Sequence, residues 1–181
     1  MRSTLKLLLT LAVAFLLTLA FRALAFTLYT VEGTGLAPQF RAGDRLLVNR
    51  WSYGLRTGGA GSLFPYGRIL KRDISRGDIV AFNDPRDSTG ATVLICRCRA
   101  LPGDTVRMGG SLDVVPGVYN CDKIDYFYLE ALGKNNPTDS RIFGYVPENL
   151  IIGRVCMVAY NHRGDSTFLN GFDTDRCFLW Q

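Results

Sequence analysis

The stretch Cys96-Arg97-Cys98-Arg99-Ala100-Leu101-Pro102-Gly103-Asp104 joins a run of strand-forming residues to a tight turn. Residues 92–99 are rich in β-branched and apolar side chains, which predicts a strand. The turn ends it, because glycine adopts positive φ readily and aspartate closes a turn with its own side chain. Side chains alternate in direction along a strand, so Cys96 and Cys98 are expected on the same face, where a disulfide between them fits poorly.

Working outward, two further Gly-Asp turns precede short strand-like runs. Gly43-Asp44 leads into residues 45–49, and Gly77-Asp78 leads into residues 79–82. Residues 126–129 and 151–160 are also strand-like. The chain holds 19 glycines, and no stretch after Tyr29 shows a helical period over ten residues or so. These patterns predict a body that is mainly β.

The N-terminus has a different pattern, in which Arg2 and Lys6 precede the uncharged apolar run Leu7 to Phe21. Two interpretations follow from the sequence alone. A cleaved secretory signal would use Ala23-Leu24-Ala25 as its small-residue site. A retained membrane helix would run from Leu7 to Leu28, with Arg22 extending its guanidinium to the interface. In both cases the charge bias places the N-terminus in the cytoplasm and the body outside it.

Composition excludes several classes of protein. With 181 residues, 48% hydrophobic and 20% charged, the chain suits one folded domain plus an appendage and is neither disordered nor a disulfide-dense miniprotein. The net charge is +5, but it belongs partly to the N-terminus, and no nucleic-acid-binding motif is present, so we expect no nucleic-acid partner.

The cysteines and the single histidine, His162, show no metal-binding spacing, so we expect neither a metal site nor a cofactor. His162 is expected to be a surface residue in a loop. The odd number of cysteines leaves at least one unpaired within the chain, and the sequence does not fix any pairing among them: Cys96, Cys98, Cys121, Cys156 and Cys177.

Four sequence blocks behind the apolar N-terminus together resemble the bacterial type I signal peptidase family: residues 31–50, 76–82, 96–106 and 136–147. The resemblance covers roughly Leu7 to Tyr160. It implies a signal-peptidase-like antiparallel β-sheet body behind one N-terminal transmembrane helix, in the cytoplasmic membrane. The implied domains are an uncleaved anchor at 1–28 and an extracytoplasmic body at 29–181, with a small variable insert at about 105–135.

The resemblance also assigns the reaction centre. Members of the family cut signal peptides with a serine nucleophile that a desolvated lysine activates as general base. Here Gly35 stands at the serine position and Cys96 at the lysine position. Gly33 replaces a serine that helps to stabilise the oxyanion, and Pro137 replaces a serine that orients the lysine. No catalytic residue is therefore expected.

Other family positions are retained. The resemblance implies a substrate-binding set, in which a peptide adds as an extended strand: Val31, Thr34, Gly35, Leu94, Ile95 and Cys96. It also implies a structural set: Pro38, Asp44, Asp78, Arg97, Asp104, Asp139, Ser140 and Arg141. Within this set, Asp139 and Arg141 are expected to form a bidentate ion pair.

Three functions remain open at this stage. The first is an inactive paralogue that binds signal peptides, preproteins or a partner membrane protein, such as an active signal peptidase or part of a secretion complex. The second is a working peptidase of serine type or of unconventional chemistry. The third is a pilus- or conjugation-type relative of the same fold. An apolar group of side chains is expected either to fill a hairpin core or to contact lipid or a partner: Trp51, Tyr53, Leu55, Leu63, Phe64 and Tyr66.

Overall fold

A computed structural model describes residues 2–58, 65–133, 138–162 and 172–180. Its helices are α1 (Arg2–Ala25) and the short α2 (Ser140–Phe143). Its strands are β1 (Phe26–Thr30), β2 (Asp44–Asn49), β3 (Leu55–Thr57), β4 (Gly67–Ile69), β5 (Ile79–Asn83), β6 (Val93–Ala100), β7 (Thr105–Met108), β8 (Ser111–Val114), β9 (Tyr126–Ala131), β10 (Val146–Pro147), β11 (Ile151–His162), β12 (Phe172–Asp173) and β13 (Leu179–Trp180). Short 3-10 turns lie at Glu148–Leu150 and Thr174–Arg176.

The main sheet is antiparallel and follows the order β1-β2-β11-β5-β6-β9-β10, with β12 and β13 also paired to β11. The prediction of a mainly β body is therefore confirmed. The long strand β11 pairs with β2 on one side and β5 on the other, with register shifts at several points. Such irregularities bend a strand and increase its twist. β11 thus joins the N-terminal strands to the rest of the sheet.

Two core clusters pack on opposite faces of β5. Val80 and Phe82 belong to one cluster, while Ile79 and Ala81 belong to the other, and all four are buried. The same alternation continues on β6, where Cys96 and Cys98 join the first cluster and Ile95 joins the second. The prediction that the two cysteines share a face is confirmed. All five cysteines are free thiols.

The three Gly-Asp turns share one design. Gly43, Gly77 and Gly103 have φ of 87°, 91° and 87°, a region that favours glycine. Each following aspartate accepts a hydrogen bond from the backbone N–H three residues earlier, at 2.7–3.1 Å: Arg41 to Asp44, Ser75 to Asp78 and Leu101 to Asp104. The turns therefore define where β2, β5 and β7 begin.

The end of α1 differs from the sequence prediction. The helix ends at Ala25 rather than Leu28, and residues 26–30 form β1, which pairs with β2 over its whole length. The aromatic and β-branched side chains of Phe26, Thr27, Tyr29 and Thr30 favour a strand, and the pairing with β2 is available to them. No helix in the described part of the chain is long and apolar enough to cross a membrane.

The segment predicted as a variable insert at about 105–135 divides into two parts. β7 and β8 form a separate two-stranded hairpin, whereas β9 is a strand of the main sheet. Leu129 of β9 is fully buried in the first core cluster. Of the strands in this segment, β7 and β8 therefore lie outside the main sheet and β9 lies within it.

The apolar group near the β3–β4 hairpin is also divided. Tyr53 is buried in the first core cluster and donates its hydroxyl to Asp78 at 2.9 Å, so it does not belong to an exposed surface. Trp51 is 36% exposed, and Leu55 and Tyr66 are half-buried. Leu63 and Phe64 lie outside the described residues. His162, expected in a loop, is the last residue of β11.

Candidate functional site

A cleft of about 550 Å³ lies between two extended segments of the body. Residues 28–32, from β1 and the chain just after it, line one side, and residues 91–95, from the start of β6, line the other. Gly35, Leu36 and Thr138 complete the lining. The cleft is open to solvent and long enough along the strands to accept an extended chain.

Both sides of the cleft present strand edges. In the sheet order, β1 pairs with β2 alone and stands at the end of the sheet. Val31 extends this pairing, because it donates to the Asp44 carbonyl at 2.8 Å and accepts from the Gly43 N–H at 3.0 Å. On the other side, β9 pairs with β6 only from Cys96 to Ala100, so β9 does not cover residues 93–95. Within the described residues, β1 and residues 93–95 therefore border the cleft with strand edges that are paired on one side alone.

The structure brings most of the predicted binding residues to this cleft. Val31, Gly35, Leu94 and Ile95 line it. Thr34 is exposed and lies outside the lining, and its carbonyl accepts a turn hydrogen bond from Ala37 at 3.1 Å. The turn that begins at Gly33 carries Thr34 away from the cleft. The sixth predicted residue, Cys96, lies outside the lining as well.

Cys96 is directed into the core. Its side chain is 1% exposed within the first cluster, and its thiol lies 3.7 Å from the carbonyl oxygen of Thr138. Burial, with a contribution from the Asp139 carboxylate, raises the pKa of the Cys96 thiol to about 12. A thiol needs a lowered pKa to act as a nucleophile at neutral pH. This environment holds Cys96 in its unreactive, protonated form.

Gly33 and Gly35 bring no side chain to the cleft, and the backbone around them is restrictive. Gly33 has a φ of 69°, where an L-residue with a Cβ would be strained. Gly133 packs directly on this segment, since a Cβ at Gly133 would overlap the Gly35 carbonyl oxygen and lie 2.9 Å from that of Ala37. The fourth assigned position, Pro137, lies outside the described residues.

Comparison with known proteins identifies the family. The family model described as "Signal peptidase, peptidase S26" matches residues 4–119, which is well over half of the chain. This chain belongs to the signal peptidase S26 family. The resemblance inferred from the sequence blocks is thereby confirmed.

Two curated signal peptidases are similar to this chain. "Probable signal peptidase I-2" of Synechocystis sp. (strain ATCC 27184 / PCC 6803 / Kazusa) is 28% identical over 165 residues, which cover 80% of this chain and 68% of that protein. "Signal peptidase I V" of Bacillus subtilis (strain 168) is 35% identical over 79 residues, which cover 44% of this chain and 35% of that protein. This chain therefore matches about a third of the length of the Bacillus protein.

The residues that follow the cleft-lining Thr138 form a polar support. Asp139 caps α2 through the Arg141 N–H and accepts from the Arg141 guanidinium with both carboxylate oxygens, at 2.6–3.1 Å. It also accepts from the Ala131 N–H at 3.2 Å, and Ser140 Oγ accepts from the Leu129 N–H at 2.9 Å. Burial alone would raise the pKa of Asp139, but the hydrogen bonds from Arg141 and the backbone lower it. The pair therefore ties α2 to β9.

A second support holds the segment that carries Gly35. The Arg97 guanidinium donates to the Gln39 side chain at 2.9 Å, and the Arg176 guanidinium donates to the Gln39 carbonyl at 3.2 Å. Arg176 also binds the fully buried Asp44 carboxylate at 2.5 Å and 3.0 Å. Pro38, which was also predicted to be structural, lies within this segment next to Gln39.

The remaining structural aspartates bind cations from other elements. Asp78 lies 3.5 Å from the Arg154 guanidinium in addition to its bond from Tyr53. Asp104 accepts from the Arg76 side chain at 3.0 Å. Hydrogen bonds from Arg76 and the Leu101 N–H lower the pKa of Asp104. These contacts link each turn to a distant part of the chain.

Sequence reasoning assigned no role to three residues that shape the cleft: Glu32, Gly133 and Arg176. Gly133 and Arg176 act through contacts with residues far away in the sequence, and only the folded sheet reveals them. Glu32 was visible as an acidic residue in the first motif block, but its place on the cleft depends on the pairing of Val31 with β2.

Proposed function

We propose that this protein is a catalytically inactive member of the signal peptidase family that binds signal peptides or preproteins as an extended strand. One observation carries the proposal. The cleft between β1 and β6 is open and bordered by strand edges, while the position assigned to the nucleophile, Gly35, presents no side chain to it.

The binding mode follows from the edges of the cleft. An extended peptide that enters a sheet edge gains main-chain hydrogen bonds, and small pockets select its alternate side chains. A peptide between β1 and residues 93–95 would pair with both edges and connect β1 to β6. None of these contacts requires a serine or a lysine, so binding survives the loss of the reaction centre.

The positions that the family pattern assigns to the nucleophile and the base, Gly35 and Cys96, supply neither a hydroxyl nor an amine. Acyl transfer needs a nucleophile with a base within about 3 Å. Cys96 is the candidate for an unconventional reaction, but its thiol is buried, protonated and turned to the carbonyl of Thr138. These features favour the binding function over the alternative of an altered peptidase.

Localisation is part of the proposal. We assign the N-terminal segment through Ala25, where α1 ends, to an uncleaved membrane anchor with the N-terminus in the cytoplasm and the body outside. Arg2 and Lys6 precede the apolar run, and its Leu7, Leu8 and Phe15 side chains are 63–65% exposed. An apolar helix surface of this kind fits lipid or a partner membrane protein of a secretion complex.

The experiment uses the full chain in a neutral detergent and a fluorescein-labelled signal-peptide segment. Anisotropy measures binding, and mass spectrometry of the same samples measures cleavage. We expect saturable binding without cleavage products. Ala91→Trp places an indole in the cleft and should weaken binding by at least about tenfold, which corresponds to about 1.4 kcal/mol. Val114→Trp, at an exposed site of β8, is the matched control and should bind as the wild type does.

Two outcomes would overturn the proposal. Cleavage by the unmodified chain that is abolished by Cys96→Ala would establish an enzyme with a thiol nucleophile. Equal binding by the Ala91→Trp and Val114→Trp variants would place the peptide elsewhere on the molecule. N-terminal sequencing of the mature protein tests the anchor separately, since a sequence that starts at Phe26 would identify a cleaved signal.

A further inference from the structure

The charge of the cleft differs from that of the whole protein. The chain carries a net charge of +5, yet among the described residues that line the cleft Glu32 is the one with a formal charge at neutral pH. The other lining residues are apolar, hydroxyl-bearing or glycine. A ligand that occupies the cleft therefore meets a single carboxylate on otherwise neutral walls.

Glu32 is placed by the strand pairing just before it. Val31 is 4% exposed and packs in the second core cluster, and both of its backbone polar groups are bonded to the turn at Gly43 and Asp44. This fixes the backbone one residue before Glu32. The Glu32 side chain is exposed, and the ion pairs of the described residues do not include it. Its carboxylate is available to a cation that enters from solvent.

We infer that Glu32 is a specificity determinant of the cleft, which selects peptides that carry a lysine or arginine beside the β1 edge. The inference rests on the proposed peptide-binding function. A peptide paired with the edge that ends at Val31 passes next to Glu32, and a cationic side chain there forms an ion pair. A neutral side chain at the same place gains nothing from the carboxylate, and an acidic one is repelled.

The expected preference is modest. The carboxylate is solvated, and exposed ion pairs contribute about 0.2–1 kcal/mol, which corresponds to about 1.5- to 5-fold in affinity. Since exposed charges are screened by salt, the preference should decline between about 20 mM and 500 mM ionic strength. Neutral contacts in the cleft do not share this dependence.

The test is a lysine scan with the intact protein in a neutral detergent. The parent probe is a neutral, end-capped peptide of about ten residues, long enough to span a typical strand. Single Lys substitutions are introduced along it, with a Glu series as the charge-reversed set. We expect one or two positions of the peptide, those whose side chains lie next to Glu32, at which Lys strengthens binding about 1.5- to 5-fold and Glu weakens it.

Matched variants assign the effect to Glu32. Glu32→Gln should abolish the lysine preference, measured as the ratio of the affinity for the Lys peptide to that for the neutral peptide with the same variant, and Glu32→Lys should reverse the preference towards the Glu series. Glu130→Gln is the control, because Glu130 is also exposed but lies on β9 outside the cleft lining. It should keep the wild-type preference.

The outcomes separate this inference from the proposed function. Binding of the neutral peptide with a flat lysine scan, or a preference that persists in Glu32→Gln, would overturn the role of Glu32 and leave the peptide-binding function standing. Failure of every peptide to bind, at low and high salt, would overturn the proposed function itself.

Discussion

The Gly-Asp turns and the cleft belong to the same body, but they differ in their functional side chains. The turn aspartates have their hydrogen-bond partners, whereas the cleft lacks the catalytic side chains of the family pattern. Each turn aspartate still has a complete set of partners, and Asp44 binds Arg176, Asn161 and the Arg41 N–H. The cleft keeps its walls but has glycine at Gly35 and a buried thiol at Cys96. Turn charges stabilise the fold, whereas catalytic side chains do not. We therefore expect the fold to depend more on the turn aspartates than on the presence of catalytic side chains.

Asp44→Ala should produce the largest change. The substitution leaves the mostly buried Arg176 guanidinium, 12% exposed, without its carboxylate. Removing one partner of a buried pair costs about 3–5 kcal/mol, which lowers the Tm of a chain of this size by about 6–20 °C. Thermal unfolding of the full chain in detergent measures it. Asp73→Ala, at an exposed aspartate, is the control and should leave the Tm unchanged.

The pH dependence of the stability difference between the wild type and Asp44→Ala tests whether the charge of Asp44 is its cause. Burial opposes ionisation of Asp44, but the hydrogen bonds from Arg176, the Arg41 N–H and Asn161 prevail, and its pKa is lowered. A folded-state pKa below the unfolded value of about 3.9 stabilises the protein above that pH, and the contribution is lost as the pH falls. The gap between wild type and Asp44→Ala should therefore narrow below about pH 4. A constant gap into strong acid would contradict the ionic explanation.

Gly133→Ala tests whether the close contact between Gly133 and Gly35 shapes the cleft. The added methyl group would overlap the Gly35 carbonyl oxygen, so one of the two backbone segments must move. Overpacking of this kind costs about 1–3 kcal/mol, and the displaced wall should also weaken peptide binding. Tm and anisotropy measure the two effects.

Gly117→Ala is the matched control for this substitution, because a Cβ there lies 3.4 Å from the Pro102 side chain and 3.8 Å from the Asp125 side chain, and it overlaps neither. Its stability and its peptide affinity should be those of the wild type. If Gly133→Ala behaves in the same way, the close approach between Gly133 and Gly35 does not shape the cleft.

Arg141→Ala should have a smaller effect than Asp44→Ala, although both substitutions break a pair with a buried aspartate. The Arg141 side chain is 59% exposed, so water screens its charge, and the fully buried Asp139 carboxylate keeps its hydrogen bonds from the backbone N–H groups of Ala131 and residue 141. We expect a loss of about 1 kcal/mol or less, seen as a Tm decrease of a few degrees. Arg107→Ala, at an exposed arginine of β7, serves as control. A decrease as large as that of Asp44→Ala would show that exposure does not separate the two pairs.

The smallest effect, which is measured as cleavage of a preprotein, is expected from restoring the catalytic residue types at the assigned positions. The double variant Gly35→Ser, Cys96→Lys supplies a hydroxyl and an amine at the assigned positions, but the Cys96 side chain is directed into the core, and Gly33 and Pro137 still lack the hydroxyls of the family pattern. Gly33 also has a positive φ that disfavours a serine. We expect no measurable cleavage of a preprotein by this variant, which gel and mass-spectrometric analysis can establish. Cleavage by the double variant would show that the supporting hydroxyls are dispensable.

Local signals in the sequence predicted the fold better than they predicted the site. Residues 79–82 and 151–160 were recognised as strands, because their β-branched composition and bounding turns act over a few residues. The placement of Cys96 and Cys98 on the same face was predicted because side chains alternate in direction along a strand. β1 was hidden, since Phe26 continues an apolar run and only the partner strand β2 distinguishes the two conformations.

The parts of the site that the sequence did not reveal depend on long-range contacts. Arg176 binds Asp44 across 132 positions of the chain, and no local pattern pairs one arginine with one aspartate over that distance. The contact of Gly133 with Gly35 likewise depends on how β9 and the turn after β1 meet. Alternation along β6 separates Cys96 from Ile95, although the resemblance had assigned both residues to the substrate-binding set.

The direct passage from α1 into β1 sets a scale for the cleft. The helix ends at Ala25, whose carbonyl accepts from the Arg50 N–H at 2.9 Å, and Phe26 already belongs to the strand. The cleft lining begins at Leu28. At about 3.3 Å per strand residue, the near end of the cleft lies only about 10 Å along the chain from the helix end, and Glu32 lies about 23 Å from it. The length of chain between the helix and the cleft is thus short and fixed. A peptide that binds in the cleft as proposed would therefore lie close to whatever surface holds the helix.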